Sequence, residues 1–226
     1  MTGRPLRFDA IIFDFDGVIA DSEILANRVL AEIVTGLGRP ISVDDALDRY
    51  MGKRMPDLIA AIENDLGRPL AADFAQNLQA STLNRFRTDL REVSGAGAFI
   101  AAHTTKRCIA SSSSRERLAL SLEVLGLADH FDGRVFSADD VARGKPHPDL
   151  FLMAAERLNT RPSDCLVIED SRGGVQAGLA AGMTVMGFCA GAHVRSGHTE
   201  KLLAAGAHHI AKNWNEVAAL VAEAKR

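Results

Sequence analysis

The sequence predicts an α/β fold: an open parallel sheet with a small all-helical insertion after the first strand. Short, continuous apolar runs alternate with helical patterns, which is typical of parallel strands that are buried on both faces and joined by crossover helices. A second observation is the stretch from about Ser22 to Thr88, which reads as successive helices without a convincing strand. The 226 residues, 47% of them hydrophobic, suffice for one good core and a small insertion.

Six apolar runs predict the strands. The first, Phe8 to Phe13, is interrupted only by Asp9 and ends in Asp14-Phe15-Asp16-Gly17. The later runs are Arg107 to Ala110, Gly133 to Phe136, Cys165 to Ile168, Thr184 to Phe188 and, more weakly, His208 to Ala211. Ligands of open parallel sheets bind at the carboxyl ends of the strands, so the residues that follow these runs are the candidate site residues.

Helical patterns lie between the runs and fill the insertion. In the α/β part they cover Ser114 to Gly126, Pro148 to Leu158, Arg172 to Ala181 and Trp214 to Ala224. In the insertion, Ser22 is predicted to cap the first helix, Ser42 and Asp45 to form a capping box, Pro56 to begin a helix that stops at Gly67, and Ala71 to Arg87 to form the last helix. We therefore predict a Rossmann-like core of residues 1–20 and 89–226 and a helical domain of residues 21–88.

Composition excludes several classes of function. The net charge is −3 and no basic stripe occurs, so no nucleic-acid partner is expected. The three cysteines are widely spaced, which favours free thiols in a reducing compartment. The sequence shows neither a signal-peptide pattern nor an apolar run of about 20 residues, so we expect a cytoplasmic protein without a membrane partner. A monomer and a small homo-oligomer both remain open.

Acidic pairs follow two of the predicted strands. Asp14 and Asp16 suit a nucleophile and a general acid/base, because carboxylates can form acyl phosphates and a neighbouring carboxyl can exchange protons with the leaving oxygen and with water. Glu169 and Asp170 end a second strand and add oxygen ligands of the kind that Mg²⁺ prefers. The alternatives are a turn cap for the first pair and a favourable charge at a helix N-terminus for the second.

Further candidates would bind a phosphate. Lys145, in Gly144-Lys145-Pro146-His147-Pro148, could neutralise it as a compact point charge. Ser111 and Ser112 follow a strand end and could donate to its oxygens, and Gly17 would let the backbone approach it closely. The alternatives are a solvated surface lysine and a helix-capping serine, although Ser114 is better placed to cap.

These motifs, in this order, resemble those of the haloacid dehalogenase superfamily of phosphotransferases. The matching residues are Asp14-Phe15-Asp16-Gly17, Ser111 after an apolar strand, Lys145 in its Gly-Lys-Pro sequence, and Glu169-Asp170-Ser171 followed by Gly173 and Gly174. The resemblance extends over essentially the whole chain. It implies that the helical insertion is a cap domain that closes over the site, excludes bulk water and selects the substrate.

The resemblance also implies a role for each matching residue. Asp14 would attack phosphorus, and Asp16 would act as acid and then as base while its backbone carbonyl binds Mg²⁺. Ser111 and Lys145 would hold the phosphoryl group. Asp170 would ligate Mg²⁺, with Glu169 supporting the metal through water.

Three branches of the superfamily compete. The dehalogenases lack Mg²⁺ and the acid two residues after the nucleophile, so Asp16 argues against them. The β-phosphoglucomutases carry a histidine where this chain has Ala26 and a phosphate-binding arginine where it has Met55, next to Arg54. A magnesium-dependent phosphatase is therefore favoured, with a phosphohexomutase and a non-catalytic phospholigand-binding protein as alternatives.

The predicted substrate is a small phosphorylated metabolite, a sugar phosphate or sugar-acid phosphate. Glu23 and Asn27 could bind its hydroxyls, and Lys53 or Arg54 a distal anionic group, although all four could equally be solvated helix residues. The loop with His193 and His198 leaves a strand end and is expected near the pocket. A zinc site there is not predicted.

Overall fold

The computed structural model describes residues 8–223 and contains a six-stranded parallel sheet in the order β3-β2-β1-β4-β5-β6. The strands are β1 (Ala10–Phe13), β2 (Lys106–Ser111), β3 (Val135–Ser137), β4 (Cys165–Glu169), β5 (Thr184–Phe188) and β6 (His209–Ala211). The predicted α/β fold is confirmed. Because β1 pairs with β2 on one side and with β4 on the other, the residues after β1 lie at the centre of the carboxyl edge of the sheet.

Ten helices surround or extend from the sheet within residues 8–223. They are α1 (Ser22–Gly36), α2 (Val43–Tyr50), α3 (Met55–Leu66), α4 (Phe74–Asp89), α5 (Ala96–Ala102), α6 (Arg115–Leu125), α7 (Asp149–Arg157), α8 (Arg172–Ala180), α9 (His198–Ala204) and α10 (Trp214–Glu223). Short 3₁₀ turns cover Ala128–His130, Ala138–Asp140 and Pro162–Asp164. In this part of the chain, none of the helices has the length and apolar character needed to cross a bilayer.

The local signals that predicted helix ends are mostly present. The capping box of Ser42 and Asp45 forms at the start of α2, Ser114 accepts from the backbone of Arg117 at the start of α6, and Gly67 ends α3 in the left-handed conformation. The prediction for Ser22 was wrong, because Asp21 occupies the N-cap position and Ser22 is the first helical residue.

One other helix prediction needs correction, and two helices were missed. The last helix of the insertion begins at Phe74 and ends at Asp89 instead of covering Ala71 to Arg87. Helices α5 and α9 were not predicted; each has seven residues, too few to show a clear apolar period. The predicted end of the last helix at Ala224 lies outside the described residues.

The sheet is buried between two hydrophobic clusters. Alternate residues of β1 point to opposite faces, so Ile11 and Phe13 join one cluster while Ala10 and Ile12 join the other. In the first cluster the Phe13 ring centroid lies 6.0 Å from that of Trp214. A strand buried on both faces is a rigid support for the acidic residues that follow it.

Helices α1 to α4 have a hydrophobic cluster of their own, but α1 and α4 also enter the core. Val29 of α1 and Leu78 of α4 belong to the helical cluster. Leu25 of α1 and Phe86 of α4, one or two turns away, belong to the cluster beneath the sheet. The helical part is therefore attached to the core through packed side chains as well as through the chain itself.

Candidate active site

Strand register brings two acidic chain segments together. Phe13 of β1 is paired with Ile168 of β4, and the backbone N–H of Asp14 donates to the carbonyl of Ile168 at 2.9 Å. Asp14, Glu169 and Asp170 are buried, and each offers a carboxylate oxygen within 4.8 Å of the oxygens of the other two. The sequence expectation that the two strand ends meet is therefore correct in its geometry.

Lys145 enters this carboxylate cluster from the loop before α7. Its Nζ donates to Asp14 Oδ1 and to Glu169 Oε2, both at 2.7 Å, and its side chain is only 5% exposed. Burial lowers the pKa of the Lys145 ammonium, but Asp14 and Glu169 outweigh that effect and raise it above its usual value. Lys145 is thus a buried cation paired with two carboxylates, and the alternative of a solvated surface lysine is wrong.

One lysine does not compensate three buried carboxyl groups. Burial, followed by repulsion from Glu169, raises the pKa of Asp14 well above its usual value, and the same two causes raise the pKa of Asp170. A divalent cation would relieve this excess of negative charge, and carboxylate oxygens are the donors that Mg²⁺ prefers. Asp14, Asp170 and Glu169 therefore fit a magnesium ion by their number, chemistry and burial.

Gly17 gives the cluster the space it occupies. Its φ is +76°, and a Cβ at this position would lie 2.9 Å from Asp170 Cγ and 2.7 Å from His193 Cε1, and would overlap the nearer carboxylate oxygen of Asp170. Only glycine accommodates both the left-handed backbone and these neighbours without displacement. Gly17 was predicted to let the backbone approach a phosphate. The packing of Asp170 and His193 also requires a glycine at this position.

The side chain of Asp16 belongs to a separate hydrogen-bond network. Oδ1 accepts from Ser22 and, at 2.6 Å, from Arg117 Nη2, while Oδ2 accepts from Ser113 at 2.5 Å. Burial raises the pKa of Asp16, but Arg117 and the two serines outweigh that effect and lower it below its usual value. The Asp16 carboxylate is therefore outside the three-carboxylate cluster, and the metal contact expected for this residue involves its backbone carbonyl.

The predicted phosphate-binding serines lie beside Asp16. Ser111 is buried, its Oγ accepts from the backbone N–H of Ser113 at 3.1 Å, and it lies 3.5 Å from Asp16 Oδ2. Ser112 is exposed and lines the same cavity. Helix capping is performed by Ser114, as expected, so Ser111 is free of that role.

Two adjoining cavities open above these residues. The lower one, of about 560 Å³, contains Asp14, Asp16 and Asp170. The upper one, of about 640 Å³, lies between the helical part and α6. Six residues border both cavities and therefore surround the passage between them: Glu23, Met51, Gly52, Ser112, Ser113 and Lys145.

The four predicted specificity residues, Glu23, Asn27, Lys53 and Arg54, all line the upper cavity. Asn27 is buried and its side-chain amide donates to the backbone carbonyl of Glu23 at 2.9 Å. The Arg54 side chain is 83% exposed and pairs with Asp57, and Lys53 is exposed. Burial, followed by repulsion from Asp16, raises the pKa of Glu23. Glu23 is thus the member of this set that lies nearest the acidic site.

Sequence and structure comparisons agree with this arrangement of motifs. A family model described as haloacid dehalogenase-like hydrolase matches residues 11–188. This chain belongs to that family. The 6-phosphogluconate phosphatase of Escherichia coli is 30% identical over 188 residues, which cover 83% of this chain and 85% of the relative. The prediction of a phosphoric monoester hydrolase is confirmed by this hydrolase family and by relatives that are phosphatases.

Solved structures show that the likeness extends over almost the whole chain. A haloacid dehalogenase-like protein of unknown function from Agrobacterium tumefaciens matches with a TM-score of 0.88 at 34% identity, covering 97% of this chain and all of its own. A family hydrolase from Deinococcus radiodurans with bound phosphate and sodium matches with a TM-score of 0.84 at 31% identity, covering 96% of both chains. The core and the helical insertion of this hydrolase are therefore found together in relatives.

The structure adds residues to the site of this hydrolase that were not predicted. Ser22, Ser113 and Arg117 donate to Asp16. The sequence carried a weak signal for Arg117, because a basic side chain in the first turn of a helix opposes the helix dipole and needs another partner.

The predicted proximity of the loop after β5 to the pocket is also found. His193 Nε2 lies 3.1 Å from Asp170 Oδ2, and His198 Nε2 lies 2.8 Å from the backbone carbonyl of Asp170. Burial lowers the pKa of both histidines. The two imidazoles therefore border Asp170, one at its side chain and one at its backbone carbonyl.

Proposed function

We propose that this hydrolase is a Mg²⁺-dependent phosphatase that cleaves a small sugar phosphate or sugar-acid phosphate through an aspartyl-phosphate on Asp14. The observation that carries the proposal is the convergence of Asp14, Lys145 and the Glu169-Asp170 pair in one cavity, with Asp16 beside them. A nucleophile, a cation for the phosphoryl oxygens, a set of metal ligands and a proton carrier are then present together.

In the first half-reaction, a carboxylate oxygen of Asp14 attacks phosphorus and the bond to the ester oxygen breaks. Asp16 gives its proton to that leaving oxygen, and Lys145 and Ser111 hold the phosphoryl oxygens. When bound at Asp14, Asp170 and the Asp16 carbonyl, with Glu169 in support, Mg²⁺ supplies electrostatic stabilisation of the transferring phosphoryl group.

In the second half-reaction, Asp16 takes a proton from water as the water oxygen attacks phosphorus. The bond between Asp14 and phosphorus breaks, so phosphate leaves and both carboxyl groups return to their starting states. The same residue can serve as acid and then as base because the first step leaves Asp16 deprotonated, as a base must be, and the second step returns its proton.

The upper cavity is bordered by the polar side chains of Glu23 and Asn27, and the chain is similar to a 6-phosphogluconate phosphatase. Both observations support a sugar-derived substrate. We infer that residues 21–88 form the cap that selects it, and that Glu23 and Asn27 meet its hydroxyl groups. Ala26, which replaces the histidine of the β-phosphoglucomutases, lines this cavity and offers no proton-transfer group. That substitution favours hydrolysis over a mutase reaction.

A phosphate-release screen with Mg²⁺ over sugar phosphates, sugar-acid phosphates, phosphoglycolate and nucleotides tests the proposal. We expect turnover of sugar-derived esters and none by the Asp14→Asn variant, which keeps the shape of the side chain but removes the nucleophile. Isomerised, still phosphorylated sugar would indicate a mutase. Folded wild-type protein that hydrolyses none of the esters would leave a non-catalytic phospholigand-binding protein as the better explanation.

A further inference from the structure

Arg117 occupies an unusual position for a basic residue. It is the third residue of α6, where its charge opposes the helix dipole, yet its side chain is only 24% exposed. Its Nη2 donates to Asp16 Oδ1 at 2.6 Å, and its guanidinium carbon lies 4.9 Å from the ring centroid of Phe86 in α4. Arg117 therefore contacts the proposed acid/base on one side and the helical insertion on the other.

The hydrogen bonds around Asp16 fix the orientation of its carboxylate. Ser22 and Arg117 donate to Oδ1, whereas Ser113 and, at 3.5 Å, Ser111 approach Oδ2. Among residues 8–223, Arg117 is the charged donor in this set. All of these bonds are charge-assisted because their acceptor is a carboxylate, but Arg117 also forms an ion pair with Asp16, so we expect the arginine to contribute most to holding this rotamer.

Phe86 in turn restrains the guanidinium. Its ring is fully buried in the cluster beneath the sheet, and a planar guanidinium stacks well on an aromatic face. Arg117 also borders the upper cavity, where the leaving group of the substrate is expected. The contacts therefore run from Phe86 to Arg117 to Asp16, and in the proposed function Asp16 faces the scissile ester.

We propose that Arg117 is a positioning residue that aims the Asp16 carboxyl at the leaving oxygen, with Phe86 as its support. The inference rests on the proposed function, because it assigns a task to the proton transfer in the first half-reaction. The alternative is that Arg117 binds the substrate itself, for example the carboxylate of a sugar acid. In that case its loss would affect substrate binding instead of proton transfer.

The two roles differ in their dependence on the leaving group. A sugar alkoxide is strongly basic and leaves only with a proton, so it needs a well-placed acid. A 4-nitrophenolate is weakly basic and leaves without one. Loss of acid positioning therefore slows the sugar ester much more than the aryl ester, whereas loss of a general structural or electrostatic contribution slows both.

The experiment compares Arg117→Met and Arg117→Lys with wild type on the best sugar phosphate from the screen and on 4-nitrophenyl phosphate. Steady-state constants are measured for the sugar ester, and 4-nitrophenol release is followed in a single turnover so that only the first half-reaction is observed. Arg115→Met is the matched control: it removes the same charge from the same helical turn, but Arg115 is 71% exposed and pairs with Asp140 away from Asp16.

We expect Arg117→Met to lower kcat for the sugar ester by about 10- to 100-fold with little change in KM, a part of the total acid/base contribution of about 10²–10⁴. The single-turnover rate with the aryl ester should fall less than about threefold. Arg117→Lys should recover part of the loss, and Arg115→Met should behave as wild type. If the methionine variant does not fold, the lysine variant with the same pair of substrates decides.

An equal fall with both esters, or a rise in KM at unchanged kcat, would overturn the positioning role while leaving the phosphatase assignment in place. Wild-type protein that cleaves neither ester would overturn both proposals. The two failures are thus separated by the wild-type measurement.

Discussion

Gly17→Ala tests how tightly the acidic cluster is packed. Two effects add at this position. A left-handed backbone costs a residue with a Cβ about 1–2 kcal/mol, and φ of Gly17 is +76°. In addition, the new Cβ would lie 2.7 Å from His193 Cε1 and 2.9 Å from Asp170 Cγ, whereas favourable carbon contacts are about 3.5–4.0 Å apart. The neighbours must therefore move by about 1 Å.

Gly133→Ala separates these effects because it shares only the first. Gly133 has φ +74° and is exposed, and among residues 8–223, apart from Gly133 and its two chain neighbours, no heavy atom lies within 4 Å of the point that its new Cβ would occupy. We expect the free energy of unfolding to fall by about 1–2 kcal/mol in Gly133→Ala. In Gly17→Ala it should fall by about 1–3 kcal/mol more, the usual cost of overpacking.

The clash should also affect metal binding. Asp170 is the residue displaced in Gly17→Ala, so the affinity for Mg²⁺ should fall by about 10- to 100-fold, as it does when the support of a ligand is lost. The affinity of Gly133→Ala should be unchanged. Urea denaturation without metal gives the unfolding free energies, and calorimetric titration with Mg²⁺ gives the affinities. Equal Mg²⁺ affinity in the two variants would refute the reasoning, because Asp170 could not then be both packed on Gly17 and a metal ligand.

Three further predictions follow from other contacts. Asp14→Asn should bind Mg²⁺ more weakly by calorimetry yet unfold at the same or higher urea concentration without metal, because it removes a buried carboxyl whose pKa is raised; a strongly destabilised variant would contradict this. His193→Gln should raise the Kd for Mg²⁺ by about 10- to 100-fold, since His193 contacts Asp170, with the half-buried His209→Gln as control. Asp65→Asn should lower the free energy of unfolding by about 1 kcal/mol at pH 7, because Tyr50 and Arg49 donate to Asp65 and lower its pKa. That contribution is present above the unfolded pKa of about 3.9 and is lost as the pH falls through the lower folded value, so the two urea midpoints should converge in acid; a difference that persists there would exclude this cause.

The parts of the site that could be predicted are those that the topology determines. Asp14 and Glu169 follow buried strands, and parallel strands place their carboxyl ends at one edge, so their meeting depended only on recognising the sheet. Lys145 was found through its motif, but its burial between two carboxylates depends on the course of a loop. The identity of the metal ligands and the boundaries of the helical domain stay predictions.

The residues that could not be predicted approach the site from elements whose placement depends on packing. Arg117 reaches Asp16 because α6 packs against α4. Both helices are far from Asp16 in the sequence, so no local pattern indicates this contact. His193 reaches Asp170 because its loop is connected to Asp21, which accepts from the backbone of Ala192 at 2.7 Å. Such contacts between distant segments leave no periodic signal.

The double attachment of α1 and α4 has a mechanical consequence. Both helices are packed in the core near Leu25 and Phe86, and they extend from there into the helical cluster. A tilt of residues 21–88 about these packed ends would displace Met51 and Gly52, which border both cavities, more than Ser22 beside Asp16. The opening can thus widen or change its lining to suit a different sugar while the Asp16 carboxylate keeps its surroundings.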